Sequence, residues 1–372
     1  MKICHMTSAH SSDDVRILKK QCVSLAKDKS NTVFLVAPGH SYQYKDVQII
    51  GVGEHKGGRL SRILKISREV YNKALSVDAD IYEFHDPELL LYAKKLSRHG
   101  KKVIFDSHED YRSQILEKRY IPKLLRKIVK NIYVVIENHA CKYLDAVLFP
   151  EAASPYEGRV KHCVPIYNTP IFDEFEHKKS FEEKENSVCC IGSLSEDRGI
   201  RVLMEACYKA GVKLVLGGNF SPAVFGEELK KQKEYEIVDF QGYCTREKVN
   251  DIYNRCLIGA DTILDFGQYA QAKTLSTKVY EYMVMKMPYI TSDFEYNKEI
   301  INQYKCGVYV DPMDSDAIAE KIKYLLENKQ IAKEMGENGR KAAETCFSWN
   351  NDESRLIALY KRLYQEKNSK KS

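Results

Sequence analysis

The chain has 372 residues, too many for one ordinary core, so two domains are expected. Hydrophobic content of 44% and charged content of 30% fit a soluble globular protein, and no run approaches the ~20 uninterrupted apolar residues of a membrane span. A net charge of +6 is too mild to signal nucleic acid, and none is expected as a partner. The eleven cysteines include no Cys-x-x-Cys pair and read as buried, reduced thiols of a cytoplasmic protein.

Met1–Met6 runs straight into polar Thr7–Asp14, which marks a first strand and not a signal peptide. Apolar runs predict strands at Lys2–Met6, Thr32–Ala37, Val47–Val52, Ile81–His85, Lys102–Asp106 and Asp145–Pro150. Amphipathic segments between them predict helices over Asp14–Lys27, Leu60–Leu75, Pro87–Leu96 and Pro122–Tyr143. Such alternation implies an α/β fold with a parallel sheet covered on both faces. Ligands then bind outside the carboxyl ends of the strands.

Three of the loops at those ends are unusually polar: Thr7–Asp14, His85–Glu88 and Ser107–Tyr111. They make His10, Asp13, His85 and His108 candidate site residues. No metal is expected there, since no His-x-x-x-His or Glu-x-x-His spacing lies on a helix. Each histidine taken singly reads as a satisfied structural residue. Two of them at equivalent strand ends, His85 and His108, point to a shared pocket. Asp86 and the pair Glu109-Asp110 also suit the first turn of a following helix.

Along Pro122–Leu144, Leu125, Ile128, Val129, Ile132 and Ile136 form an apolar stripe, expected to face the core. Lys123, Arg126, Lys127 and Lys130 cluster on the other face, with Lys118 and Arg119 just before. That basic face is either merely solvated or attracted to anionic headgroups of the inner leaflet. Charge-dense Ile171–Ser187 is the expected linker. Alternation then restarts, with strands at Val188–Gly192, Lys213–Gly217, Glu236–Gly242, Ile258–Leu264, Pro288–Thr291 and Gly307–Asp311. Helical patterns follow at Gly199–Lys209, Arg246–Cys256, Thr277–Lys286 and Ser315–Glu327. The expected division is 1–170, a linker over 171–187, a second domain over 188–348, and a last segment 349–372. That segment is amphipathic over Asp352–Lys367 and is expected to pack back on the first domain.

The stretch from Lys273 to Met283 draws attention for its chemistry. Thr274, Ser276 and Thr277 offer N-cap hydroxyls, and a helix opening from a polar loop presents free N–H groups to a phosphate. Lys278 and Glu281 share a face one turn apart, where a carboxylate could accept from ribose hydroxyls. An ion pair on a solvated helix face explains the same two residues equally well.

Taken together, His85-Asp86-Pro87-Glu88-Leu89-Leu90, Lys102–Asp110, Gly192–Gly199 and Lys278–Met283 resemble signatures of the family 4 GT-B glycosyltransferases. Those that build bacterial capsule or O-antigen polysaccharide are the most similar group. Val310-Asp311-Pro312 and Met335–Arg340 agree with it, and the resemblance covers nearly the whole chain. It implies two Rossmann-like domains whose parallel sheets face a central cleft. The second would hold a nucleotide-sugar donor and the first a glycan or lipid-linked acceptor. Transfer would retain anomeric configuration, with no metal or other cofactor. Glu281 then matches the second glutamate of the family's pair, on the ribose, and Arg198 falls at the diphosphate. Gly192 and Tyr243 fall beside the donor and His108 near the reaction centre, while Lys273 and Lys278, by no rule of the family, are read as donor-binding cations that supply the charge missing at Ser193. His10, Asp13 and His85 fall to the acceptor side.

The chain departs from the pattern in three places. Lys273 replaces the first glutamate of the pair, Ser193 stands where an arginine is usual, and His10–Asp14 replaces a glycine-rich loop. The reading is therefore a retaining glycosyltransferase of cell-surface polysaccharide synthesis, cytoplasmic and peripheral to the inner membrane face. The alternatives are a sugar-nucleotide epimerase of the same architecture and a non-catalytic binding or scaffold subunit.

Overall fold

The polar strand ends matter because of where the chain reverses. In the computed structural model, residues 1–53, 58, 61–117, 121–151, 154–266 and 269–369 are described. The chain divides into two compact units, Met1–Asn168 with Asn350–Ser372, and Thr169–Trp349.

The first unit holds β1 (Lys2–Met6), β2 (Thr32–Ala37), β3 (Tyr42–Tyr44), β4 (Val47–Gly51), β5 (Ile81–Phe84), β6 (Lys102–Asp106), β7 (Ala146–Phe149) and β8 (His162–Pro165). Their order in the sheet is β3-β4-β2-β1-β5-β6-β7-β8. All neighbours pair in parallel except the β3–β4 hairpin. That hairpin turns at Lys45, which has φ +49°. Strands β2 and β5 flank β1, so the direction of winding switches between β1 and β5. The loops that leave those strands are Thr7–Asp14 and His85–Glu88. A ligand is expected beyond such a switch point.

Helix α1 is wound as a π-helix over Val15–Cys22 and as an α-helix over Val23–Ala26. It is followed by α2 (Ser67–Val77), α3 (Ala93–Arg98), α4 (Tyr111–Glu117) and α5 (Lys123–Cys141). The core buries Val36, Tyr82, Phe84, Val103, Phe105 and Val147.

Only the C-terminal end of α5 joins that core, through Glu137, Ala140 and Cys141. The expected apolar stripe faces inward only at Ile136, which packs against this core, while Leu125 (47%), Ile128, Val129 (36%) and Ile132 are exposed. Leu124 is 90% exposed, Ile128 55%, Ile132 56% and Val135 68%. The helix is anchored by its last turns while its first turns meet solvent on both faces. Lys118 and Arg119 lie outside the described residues.

The second unit holds β9 (Glu185–Ile191), α6 (Ile200–Ala210), β10 (Lys213–Gly217), α7 (Ala223–Leu229), β11 (Val238–Gly242), α8 (Arg246–Arg255) and β12 (Cys256–Asp261). It continues with α9 (Thr277–Val284), β13 (Tyr289–Ser292), α10 (Glu295–Tyr304), β14 (Gly307–Val310), α11 (Ser315–Glu327) and α12 (Lys329–Thr345). The sheet is parallel throughout, in the order β11-β10-β9-β12-β13-β14. Its faces pack against separate clusters, and adjacent Cys189 and Cys190 fall one into each, as the strand period of 2 requires. All eleven cysteines are free thiols. The switch point here lies between β9 and β12.

Ile171–Ser187 packs within this second unit. Its Lys178 amide donates to Asn254 at 2.7 Å, and Phe175 is buried in the core. Helix α13 (Trp349–Ser369) carries the chain back into the first unit, burying Leu356, Tyr360 and Leu363. Its Arg355 donates to the Pro165 carbonyl at 3.2 Å, and Lys367 pairs with Asp80.

Candidate functional site

In the second unit, the loop after β9 and the start of α9 enclose a pocket of about 330 Å³. The β9 loop approaches the end of β12 so closely that a Cβ on Gly199 would lie 1.9 Å from the Thr262 carbonyl oxygen. Gly199 also sits at φ +69°, so only glycine fits there. That contact fixes Arg198, one residue earlier, at the pocket wall. Its Nη2 donates to the Tyr269 hydroxyl at 2.8 Å, and its guanidinium lies 4.6 Å from the centre of that ring.

Helix α9 opens at Ser276, which makes no side-chain capping bond. The expected N-cap role of this hydroxyl is not realised, because it donates to the Asp261 carboxylate at the end of β12. Ser276, Thr277 and Lys278 at the start of α9 thus line the pocket, with the Ser276 hydroxyl turned to Asp261 and not to the helix. Lys278 pairs with Asp261 at 2.8 Å. Burial opposes its charge, but the Asp261 carboxylate outweighs that and raises its pKa.

Glu281 is not paired with Lys278, which removes the solvated ion-pair reading. Its Oε1 takes Arg246 Nη1 at 2.7 Å and its Oε2 takes the Tyr253 hydroxyl at 2.6 Å. Arg246 in turn bonds Glu174 at 3.0 Å and packs 4.3 Å from the centre of the Phe175 ring. Gly192, Arg198, Lys278 and Glu281 thus line one pocket. Lys273 and Tyr243 are not among its lining residues, and Tyr243 is 75% exposed.

In the first unit, the polar loops converge on two carboxylates. Asp86 Oδ2 accepts from Thr7 Oγ1 at 2.8 Å, Ser8 N at 2.6 Å and Ala9 N at 3.2 Å, which ties the β1 loop to the β5 loop. His10 lies between Asp14 and Asp86, 3.5 Å from each, and packs against the His108 ring with centroids 4.6 Å apart. Partial burial disfavours a charged His10, but its bond to Asp14 and the charge of Asp86 prevail, so its pKa is raised.

Asp106 is fully buried and held by Arg16 at 2.7 and 2.9 Å and by Gln21 at 2.7 Å. Burial opposes its charge, yet Arg16 and His108 override it and keep this carboxyl well below the usual range. His108 Nε2 lies 3.2 Å from Asp106. Asp13 is at the surface, bonded by the Ser11 hydroxyl. His85, expected at an acceptor pocket, has no solvent exposure at all. Its ring is enclosed between His5 and His108, so any part it plays passes through His108.

Residues 172–342 match the family described as Glycosyl transferases group 1. The chain carries a glycosyltransferase domain. It is 20% identical over 303 residues to the O-antigen chain mannosyltransferase C of Escherichia coli, covering 79% of this chain and 78% of that one. An uncharacterized glycosyltransferase of Methanocaldococcus jannaschii is 23% identical over 252 residues, 60% of this chain and 63% of that protein's length. The Anabaena protein HepE, solved with UDP and glucose, superposes with a TM-score of 0.72 at 14% identity, over 97% of this chain and 100% of that one. The fold is GT-B, two parallel-sheet α/β domains.

Sequence reading of this chain missed Arg246, Tyr253 and Asp261, which hold the α9 side chains, and His5, Arg16, Glu83, Asp106 and Tyr360 in the first unit. Arg246 directly follows the N-cap Thr245 and reads locally as an ordinary helix-start residue. Glu83 carried a signal: a carboxylate inside an otherwise buried strand needs a built partner.

Proposed function

We propose that the second-unit pocket binds a nucleoside-diphosphate sugar and that the enzyme transfers the sugar, with retention, to a glycan or lipid-linked glycan of a cell-surface polysaccharide. The observation that carries this is the start of α9 lining one pocket with Arg198, with Glu281 one turn deeper. Amide N–H groups and a guanidinium supply an anion site, and a carboxylate with lone pairs to spare suits a ribose diol. The charge developing on the leaving diphosphate is met by the helix terminus and Arg198, so no metal is assigned to the step. The UDP and glucose bound by HepE and the O-antigen role of the Escherichia coli relative support this class of donor and product.

The test is donor turnover by purified protein with UDP-, GDP- and ADP-sugars, with and without acceptor and with EDTA. Nucleoside diphosphate release that needs acceptor and survives EDTA is expected. Acceptor-independent interconversion of the sugar would indicate an epimerase, and selective binding without turnover a scaffold.

We also assign the first turns of α5 to the surface of an anionic bilayer. Leu124, Ile128, Ile132 and Val135 form an exposed aliphatic strip, with Lys123, Arg126, Lys127 and Lys130 around the rest of the helix. A cationic helix with an unburied apolar face has the character of an interfacial helix. No helix among the described residues is long and apolar enough to cross a membrane. Co-sedimentation with anionic vesicles should survive moderate salt in part, because the aliphatic strip adds to the charge, and be lost in Leu124→Ser/Ile128→Ser/Ile132→Ser. Absence of wild-type binding at low salt would reject the assignment.

A further inference from the structure

Beneath His108 runs a line of buried groups that the glycosyl-transfer reading leaves unused. His108 Nε2 lies 3.3 Å from His85 Nδ1, and His85 Nε2 lies 3.0 Å from His5 Nδ1. His5 Nε2 lies 3.3 Å from the Tyr360 hydroxyl, which lies 2.7 Å from Glu83 Oε2. His5 and His85 thus use both ring nitrogens and His108 its Nε2, and each contact joins one donor site to one acceptor site.

The contacts are also in line. The His5 and His85 centroids are 5.3 Å apart with ring planes 14° from parallel, a separation that exceeds the N···N distance by two ring radii. His85 and His108, 5.5 Å apart, meet almost as directly. A lone pair aimed along the N···N axis suits a shared proton, whereas an ion bound by both rings would sit off that axis. His5, Glu83, His85 and Tyr360 have no exposure, while the His108 side chain retains 14%. Among these five, only His108 touches solvent.

We propose that His85, His5 and Tyr360 form a proton relay joining His108 to a proton store at Glu83. In the loaded state Glu83 Oε2–H donates to Tyr360, Tyr360 to His5 Nε2, His5 Nδ1–H to His85 Nε2, and His85 Nδ1–H to His108 Nε2. His108 then carries its own proton on Nδ1. When Nδ1 gives up that proton, each remaining proton moves one hydrogen bond toward His108. The O–H bond of Glu83 breaks, both buried imidazoles change from Nδ1–H to Nε2–H, and Glu83 is left as carboxylate. The two states differ by one proton, and no imidazolium persists.

The surroundings fit both states. Burial, and then the Asp106 charge, raises the Glu83 pKa, which favours the loaded state. Burial lowers both His5 and His85, which keeps the carriers neutral. Asp106 Oδ2 lies 3.3 Å from His85 Nδ1 and 3.2 Å from His108 Nε2, so it favours a proton on either side of that junction. Arg16, braced by Asp106 and within the field of Asp352, is a cation whose charge reaches Glu83. The Cys4 and Cys22 thiols beside it stay neutral, since burial raises both.

The experiment reads histidine tautomers by ring 15N NMR across pH in 15N-histidine-labelled protein, so it needs neither donor nor acceptor. In the wild type, His5 and His85 should switch together, with one midpoint above the ordinary carboxylate range. Glu83→Gln keeps the length of the line but has no proton to release, and should hold both rings in one tautomer. Tyr360→Phe should remove the shared midpoint. Independent midpoints in the wild type, no switch at all, or a switch that persists in Glu83→Gln would each overturn the relay. Catalytic use of the relay rests on the transferase reading and is read separately. Glu83→Gln should lower kcat and flatten its pH profile while leaving the donor KM within about two-fold, whereas a packing role would move neither the tautomers nor the profile.

Discussion

Replacing Glu281 by alanine should do two separable things. A hydrogen bond to a charged group contributes about 1.5–3 kcal/mol, so loss of a ribose contact should weaken nucleotide binding about ten- to a hundred-fold. The same change strips the buried Tyr253 hydroxyl of its 2.6 Å acceptor, and an unpaired buried hydroxyl costs about 1–3 kcal/mol of stability. Arg246 suffers less, because it is 39% exposed and retains Glu174. Adding Tyr253→Phe removes the orphaned hydroxyl. The double variant should therefore regain much of the melting temperature and none of the affinity. Calorimetric titration with nucleoside diphosphate, beside thermal melts of both variants, reads the two effects independently. If the folded double variant binds within about three-fold of wild type, Glu281 is a structural anchor for Arg246 and the ribose assignment fails.

Arg198→Ala should cost far more affinity for a nucleoside diphosphate than for the nucleoside, and equal losses by calorimetry would return Arg198 to a purely structural contact with Tyr269. His108→Ala should depress kcat and leave the donor Kd within a few-fold, and a wild-type kcat would remove His108 from the chemistry. His10 has a raised pKa in the folded chain, so its stabilisation is fully present below its unfolded pKa, ~6.5, and fades as pH rises through the higher folded value. Urea melts at pH 6 and pH 8 should accordingly differ less in His10→Asn than in wild type, and an unchanged difference would assign the pH dependence elsewhere.

How far these residues were readable from sequence depended on whether their partners were local. Strands β1, β2, β6 and β10 match their expected limits because continuous apolar runs bounded by polar loops carry that signal without tertiary help. Strand β3 escaped because it spans only three residues of a hairpin edge, and β8 because His162 and Pro165 interrupt its apolar pattern. Lys278 and Glu281 were visible as residues, yet their partners Asp261 and Arg246 arrive from β12 and α8. Seventeen positions separate Lys278 from Asp261, and nothing in local spacing encodes such a pairing. The metal-free reading of the histidine loops used helix spacing, which does not apply to ligands brought together from three strand ends. What bears on those histidines is the in-line meeting of their rings, a tertiary fact.

The α5 stripe shows why periodicity fixes the faces of a helix but not which face is buried. Its apolar and basic arcs were both legible, and a core was the natural destination for the apolar one. What sequence could not supply is the length of helix that the sheet can cover. Glu137 sits among the core residues near the end of α5, bound by Arg112 and Arg159 and accepting from Tyr156 at 2.9 Å. These bonds pin the last turns. Strand β7 follows after a short loop, and the helix residues in or against the core begin only at Tyr133, so the first turns lie outside it. Leaving Leu124, Ile128 and Ile132 in water forgoes roughly 1.5–3 kcal/mol for each side chain that could have been fully buried. Serine at these positions should therefore leave the melting temperature within a few degrees of wild type, whereas Ala140→Ser or Cys141→Ser, inside the pinned turns, should lower it. If the three exposed positions prove as costly as the buried ones, the strip is already covered within the chain and offers nothing to a bilayer.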